Sequence, residues 1–305
     1  MAESSTFFTA SPQWHGLIIT YFFVGGLAGG CYALAVLLDL LGPLADRPLA
    51  RLGYYVAFPA VVVSGLVLTV DLGRPERFWH MLIQSHTYRP MLKLYSPMSL
   101  GSWALLAFGG FTLLSFLAAL ADAGHLRWSW LRRLRPPGAL GTGVSVVGGM
   151  LGVFIAGYTG VLLAVTNRPI WSDTWLLGLN FLISAASTSA ALLILLGRRR
   201  YDSPGLAALE RFDMTALALE IVAIIAMIVS LGSVARVWLS VWGLALALVL
   251  VLGIAIPLVM QWRSRSVHGE PRGAAVAALL VLIGGLAFRA VIVLSSNAIH
   301  PVWRG

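Results

Sequence analysis

A tyrosine and a threonine lie near one end of a long apolar segment, where hydroxyl groups are unusual. The segment runs from Val144 to Trp171 and contains Tyr158 and Thr159 between two glycines. A phenol can donate and accept hydrogen bonds, and it can relay a proton. Glycines beside it permit close packing against another helix. This combination predicts a polar binding site inside an otherwise apolar segment.

Charged residues also lie within apolar segments of the chain. Asp213 and Glu220 are two helical turns apart in one segment, and Arg289 lies in another. An ionisable group inside a lipid-spanning helix costs about 2.5–3.5 kcal/mol on insertion scales, so each one needs a partner or a role. We expect these three residues to transfer protons, and the alternative is a structural buried ion pair. Asp39, at the end of the first apolar segment, is a further proton-transfer candidate or an ordinary interfacial carboxylate.

The composition is that of an integral membrane protein. The chain has 305 residues, of which 59% are hydrophobic and 11% charged. Soluble domains are about one quarter charged. The formal net charge of +9 indicates basic loops at a membrane surface. We therefore expect contact with membrane lipid and no nucleic-acid partner.

Eight segments are long enough to cross a bilayer, which requires about 20 largely apolar residues. Only helices and closed barrels satisfy the backbone in lipid, and these segments are too long for barrel strands. The expected fold is an all-α integral membrane domain that divides naturally into two four-helix bundles. The predicted helices cover approximately residues 14–38, 52–70, 98–121, 144–166, 172–196, 211–233, 241–260 and 272–296.

The loop charges predict the orientation of these helices. Most Lys and Arg residues outside the helices lie in the first, third, fifth and seventh connections. By the positive-inside rule these connections are cytoplasmic, and both termini lie on the outer, periplasmic side. The long outer loop at 71–97 is rich in aromatic residues, so it is either a docking surface for a peripheral subunit or an amphipathic segment in the interface.

This topology places several polar residues near the outer side. These residues are candidates for a binding site, but two structural roles are also possible. An Asp and an Arg after the second helix can stabilise a turn, and an interfacial tyrosine can belong to the aromatic belt. The residues at this level are His15 and Tyr21 of the first helix, Asp71 and Arg74 after the second, and Tyr158 and Thr159 of the fourth.

The positions of histidine and cysteine argue against haem and against a metal centre. A membrane b-type haem requires histidines that face one another from helix interiors. With Cys31 as its single cysteine, the chain contains no disulfide of its own and no Cys-ligated iron–sulfur cluster. All six histidines lie at helix ends or in loops: His15, His80, His86, His125, His268 and His300.

Five sequence stretches, in order along nearly the whole chain, carry a family resemblance. They are FFVGGLAGGCYALA, VDLGRPERFWHML, SPMSLGSW, GYTGVLLAVTNRPIW and GGLAFRAVIVLSS. Together with eight helices and outward termini, they resemble the polysulfide reductase membrane subunits of the NrfD/PsrC type. The resemblance implies a haem-free, quinone-binding anchor built as two four-helix bundles in the cytoplasmic (inner) membrane of a bacterium or archaeon.

The resemblance also implies partners and site residues. Such subunits dock a ferredoxin-like iron–sulfur protein on the outer face, which connects to a molybdopterin-type oxidoreductase. Menaquinone or ubiquinone binds near that face, where Tyr158 matches the family's tyrosine. Tyr21 falls where a family member can carry a histidine, and His15 is an alternative to it. The resulting prediction is a quinone site with Tyr158, Thr159, His15, Tyr21, Asp71 and Arg74, and proton transfer through Glu220, Asp213, Arg289 and Asp39.

Two other functions fit the same residues. Intramembrane charges and the Ser/Thr-rich fifth helix suit a secondary transporter, although such proteins usually show internal repeats and broken helices in matching halves. A purely structural anchor without quinone is the second alternative. Under the quinone hypothesis electrons pass to or from a partner's cluster, because this chain has no redox centre of its own.

Overall fold

The computed structural model describes residue 14 and residues 16–201, 203–266 and 271–298. Within these residues, eight helical segments are long and apolar enough to span a membrane. The only strand-like pairing in the same part of the chain is one bridge between Ile83 and Pro90. The prediction of an all-α membrane protein with eight spans is thereby confirmed.

A change of helix type interrupts the seventh span in its middle. A π-helical turn, Val249–Ala255, joins α7 to α8. The helices of the described chain are α1 Gly16–Leu41, α2 Arg47–Asp71, α3 Pro97–Asp122, α4 Ala139–Ala164, α5 Leu177–Gly197, α6 Pro204–Ser230, α7 Val241–Leu248, α8 Ile256–Ser266 and α9 Pro271–Ser295.

Helix starts differ from the sequence expectation where proline or a folded connection intervenes. α6 begins at Pro204, earlier than the expected 211, because proline is well tolerated in the first helical turn. α5 begins only at Leu177, since Ile170 has φ of +72° and interrupts the helical path. Trp171 is buried there, and its Nε1 donates to the carbonyl of Ile292 at 3.0 Å. The connection before α5 is therefore anchored to α9.

α1 lies in the centre of the protein, in contact with α2, α4, α5 and α9. Glycines permit this packing, because an added Cβ would collide with the neighbouring helices. At Gly29 it would lie 2.2 Å from the carbonyl oxygen of Gly152, and at Gly30 it would lie 2.3 Å from Ser189 Oγ. α1 thus packs against helices from both halves of the chain, and α4 and α5 also pack directly on each other.

The starts of α1 and α3 and the ends of α2 and α4 share one face with the connection at 72–96. We call this face outer and the opposite one inner, following the loop charges, and the sidedness stays a prediction. The connection contains a short 3₁₀ helix, Pro75–Met81, whose residues are largely exposed. Its proximity to the ends of four helices makes it part of the site described next.

Candidate functional site

A cavity of about 760 Å³ lies among α1, α2, α3 and α4, in the outer half of the protein. Its size is within the range of about 300–1,000 Å³ typical of small-molecule sites. The walls are mainly apolar side chains from the four helices and the outer connection. The polar side chains in the wall are Tyr21, Thr69, Asp71, Ser102 and Tyr158.

Tyr158 lies on α4 and forms part of the cavity wall. Its side chain is buried, and its Oη donates a hydrogen bond to the carbonyl of Pro97 at 2.6 Å. Phe154, one turn earlier, stacks on the ring with centroids 5.5 Å apart. A Cβ at residue 101 would lie 2.2 Å from Tyr158 Oη, so Gly101 provides the space that the phenol occupies.

Two further residues expected from the sequence line the same cavity. Tyr21 of α1 is buried, and Asp71, the last residue of α2, is exposed at the outer end. Arg74 lies just beyond, beside Leu72 and Met81, which also contribute to the cavity wall. The structure therefore brings Tyr21, Asp71 and Tyr158 to one cavity and places Arg74 next to its outer end.

Two other residues expected at this site are not among the described residues of the cavity wall. Thr159 is fully buried and does not line the cavity; its hydroxyl hydrogen-bonds the carbonyl of Ala156 in its own helix at 3.4 Å. Consecutive helical residues lie about 100° apart around the axis, so Tyr158 and Thr159 face different neighbours. His15 lies outside the described residues. Trp14, which the sequence reasoning missed, lines the cavity and stacks on Trp171 with centroids 5.2 Å apart.

The cavity opens between α2 and α3 toward the surface that faces lipid. Val62 and Leu66 of α2 and Leu106 of α3 line it and are also exposed. Exposed apolar side chains in the middle of a spanning helix contact hydrocarbon rather than water. A ligand with an apolar tail can therefore occupy the cavity while its tail extends into the bilayer.

Arg289 lies apart from this cavity, fully buried between α1, α5 and α9. Its guanidinium donates to the carbonyls of Phe22 at 3.2 Å, Gly285 at 2.9 Å and Phe181 at 3.3 Å. It also donates to Ser184 Oγ at 3.2 Å. The contact with Phe22 places Arg289 one residue along α1 from the cavity residue Tyr21.

Glu220 and Asp213 continue the polar groups inward from Arg289. Glu220 is buried, hydrogen-bonds the Ser184 hydroxyl and is attracted by the charge of Arg289. Asp213 is fully buried and accepts hydrogen bonds from Ser187 Oγ at 2.8 Å and from Gln261 Nε2 at 2.6 Å. The described contacts therefore form two separate groups. One contains Arg289, Ser184 and Glu220, and the other contains Ser187, Asp213 and Gln261.

Asp39 belongs to a separate network at the inner ends of the first helices. It pairs with Arg135 and accepts a hydrogen bond from Tyr54 Oη at 3.1 Å. Arg135 also donates to Asp122 at 2.6 Å, and Arg51 lies 3.6 Å from the same carboxylate. These contacts tie α1, α2 and α3 to the connection before α4. The pairing favours the interfacial role for Asp39, while its proton-transfer role stays a hypothesis.

Gln261 and Arg135 are contact partners that the sequence reasoning did not identify. Arg135 lies in the third connection, which the predicted topology places on the same side of the membrane as Asp39, and this shared side is the signal in the sequence. Gln261 directly follows the apolar part of its span and looks like an ordinary interfacial residue. Within the described part of the chain, no three His, Cys, Asp or Glu side chains come close enough to hold a metal ion together.

Comparison with known proteins gives matches along nearly the whole chain. The profile of the family described as "Polysulphide reductase, NrfD" matches residues 4–300. The chain is 27% identical to a polysulfide reductase chain of Wolinella succinogenes, over 90% of this chain and 92% of that protein. It is 29% identical to protein NrfD of Escherichia coli, over 67% and 66% of the two chains. A shorter match, 29% identical over 32% of this chain and 20% of the other, is to a selenate reductase subunit of Mesobacillus selenatarsenatis.

Proposed function

Because the chain belongs to the polysulphide reductase NrfD family, we propose that it is the membrane subunit of an oxidoreductase complex and binds a quinone or quinol. Two of the relatives are named as components of a polysulfide reductase and of a selenate reductase. The cavity among α1–α4 is the proposed quinone site. The observation that carries this proposal is the convergence of Tyr21, Asp71 and Tyr158 on one largely apolar cavity that opens toward lipid.

The residues of the cavity fit the chemistry of a quinone. A quinone headgroup is flat and apolar at its faces, and it needs hydrogen-bond partners at its two oxygens. The cavity offers apolar walls together with the hydroxyls of Tyr21, Tyr158, Thr69 and Ser102. The opening between α2 and α3 provides a path for an isoprenoid tail. Menaquinone and ubiquinone both satisfy this description.

A bound quinone supplies two-electron chemistry that is coupled to two protons, and the protein must handle those protons. Tyr158 Oη can donate to a quinone oxygen in place of its bond to the carbonyl of Pro97. Asp71 lies where the cavity meets the outer surface, so its carboxylate can exchange protons with water there. Arg74, next to this end, would favour the ionised form of a nearby carboxylate.

The electrons require a partner, since a chain with Cys31 as its single cysteine cannot provide a Cys-ligated iron–sulfur cluster. We infer that a ferredoxin-like iron–sulfur subunit docks on the outer face and connects to a molybdopterin-type catalytic subunit. The outer connection supports this location, because Phe78, Met81 and Leu82 form part of the cavity wall. A subunit bound to this connection would lie close to the quinone site.

Transfer of protons across the membrane is a second part of the proposal. Arg289, Ser184 and Glu220 form one hydrogen-bonded and charged group, and Ser187, Asp213 and Gln261 form another nearer the inner face. Such intramembrane ionisable groups commonly mark proton relays. The arrangement supports a route that starts beside Tyr21 and leads inward.

Purification of the full-length chain from its native membrane tests the assignment to a complex. We expect an iron–sulfur protein to remain bound, and quinone to be recovered when the purified complex is extracted with organic solvent. If the preparation retains its fold but contains neither a bound iron–sulfur protein nor quinone, the proposal is contradicted. If such a preparation also accumulates a solute in liposomes, the transporter alternative replaces it.

A further inference from the structure

A second and much smaller cavity, of about 80 Å³, lies in the inner half between α5, α6, α8 and α9. One bound water needs about 10–15 Å³ of such space, so the cavity has room for several. Its wall combines six apolar side chains with four polar ones. The lining residues are Ala191 and Ile194 of α5, Arg198 directly after α5, Glu210, Asp213 and Met214 of α6, Met260 and Gln261 of α8, and Ala274 and Ala278 of α9.

The end of this cavity that lies deepest in the protein contains an incompletely paired amide. Gln261 Nε2 donates to Asp213 Oδ2 at 2.6 Å, whereas Gln261 Oε1 is buried and has no hydrogen-bond partner among the described residues. Turning the amide over would exchange the two atoms and leave Nε2 in that position instead. A buried polar atom without a partner is destabilising, so a water molecule bound there would be stabilising.

The other end of the cavity lies close to the inner surface. Arg198 Nη1 and Glu210 Oε1 are 3.3 Å apart, and their side chains are 27% and 30% exposed. Glu210 precedes Asp213 by one helical turn, so the two carboxylates lie on the same face of α6. The cavity therefore extends from a partly solvated ion pair to a fully buried carboxylate.

The π-helical turn explains how Gln261 reaches this position. A π-helical turn contains more residues than an α-helical turn, so it changes the face on which all later residues of the span lie. Here it coincides with close packing, since a Cβ at Gly253 would lie 2.6 Å from the Cα of Gly284 in α9. The α8 segment that follows presents Met260 and Gln261 to the cavity.

We propose that this inner cavity binds a chain of ordered water molecules, anchored by Gln261, that connects Asp213 to the inner aqueous phase. The polar partners that such waters need are the side chains of Arg198, Glu210, Asp213 and Gln261. In the proposed function this hydrated cavity is the inner entrance of the proton route. That role rests on the proposed function, whereas the water site itself follows from the cavity and its polar wall alone.

Radiolytic hydroxyl-radical labelling of the purified full-length complex in lipid nanodiscs tests the water site. Radicals form from water, and methionine side chains beside ordered internal water are oxidised rapidly. Met214 and Met260 line the cavity. Met227, fully buried elsewhere in α6, and Met150, exposed in mid-span on the lipid side of α4, are the internal controls. We expect Met214 and Met260 to be oxidised severalfold faster than both controls, and equal rates would overturn the proposal.

Two variants show whether the labelling depends on this cavity and on the amide. Ala278→Leu fills the cavity, and Gln261→Leu removes the polar anchor at similar volume. We expect both variants to lower labelling of Met214 and Met260 toward the rate of Met227, with other exposed methionines unchanged. Labelling that persists in Ala278→Leu would mean that the radicals come from elsewhere, and labelling that persists in Gln261→Leu would exclude Gln261 as the anchor; either result overturns the proposal. The measurement involves neither quinone nor turnover, so a failure of the quinone proposal would leave it unchanged.

Discussion

Replacing Tyr158 by phenylalanine is expected to lower quinone-coupled turnover of the complex by about 100-fold. The change removes only the hydroxyl that lies in the cavity wall, and proton transfer by one positioned side chain commonly contributes 10²- to 10⁴-fold. Turnover is measured as electron transfer between the catalytic partner's substrate and a soluble quinone analogue. The same preparation assayed with an artificial redox dye should retain its activity, because the dye does not need the cavity.

Tyr55→Phe is the matched control for this variant. Tyr55 also lies in a spanning helix and also donates to a backbone carbonyl, that of Ala119 at 3.2 Å, but it does not line the cavity. We expect it to leave quinone turnover close to that of the unmodified protein. Equal activity of Tyr158→Phe and Tyr55→Phe would show that the Tyr158 hydroxyl takes no part in the reaction.

Replacing Glu220 by glutamine is expected to abolish proton movement across the membrane. The amide keeps the shape of the side chain and its hydrogen bond with Ser184, but it cannot take up and release a proton at neutral pH. The measurement is the pH change outside liposomes that contain the complex after a pulse of quinol or substrate. The expected result is loss of the transmembrane part of the proton signal, while dye-coupled electron transfer persists.

Two further variants separate loss of the route from loss of the fold. Removing a carboxylate beside the buried Arg289 leaves a less compensated charge, which destabilises a protein by several kcal/mol in unfavourable cases. Asp213→Asn interrupts the same route at a site that lacks this cation among its described contacts. Glu76→Gln, on the exposed outer connection, is the neutral control. An unchanged proton yield in both Glu220→Gln and Asp213→Asn, measured in well-assembled complex, would rule out the route.

The sequence was sufficient to predict the spans and the depth of individual residues within them. Length and composition determine which segments cross a bilayer, so all eight spans appear in the structure. Depth also follows, because position along a helix is proportional to residue number. Tyr21, Asp71 and Tyr158 were expected at one level for this reason, and they line one cavity.

The neighbour that each side chain faces could not be predicted in the same way. Rotation around a helix depends on packing and on local irregularities, which loop charges do not report. Thr159 was expected in the same site as Tyr158, but its hydroxyl hydrogen-bonds the carbonyl of Ala156 in its own helix. Arg289 could be placed inside its span from the sequence, but its hydrogen bonds to carbonyls of three helices could not be predicted. Gln261 reaches Asp213 after a π-helical turn that the apolar pattern does not reveal.

Photolabelling with a quinone analogue tests the central claim, that the cavity among α1–α4 binds quinone, most directly. The purified complex is irradiated with the analogue, and labelled residues are identified by mass spectrometry with and without excess native quinone. We expect label within 58–72 and 98–113, suppressed by the competitor. Gly101→Ala, which displaces the Tyr158 ring, should lose the label, whereas Gly110→Ala, at a cavity position with free space, should keep it. Label confined to other parts of the chain, or label in the cavity that native quinone does not suppress, would contradict the account.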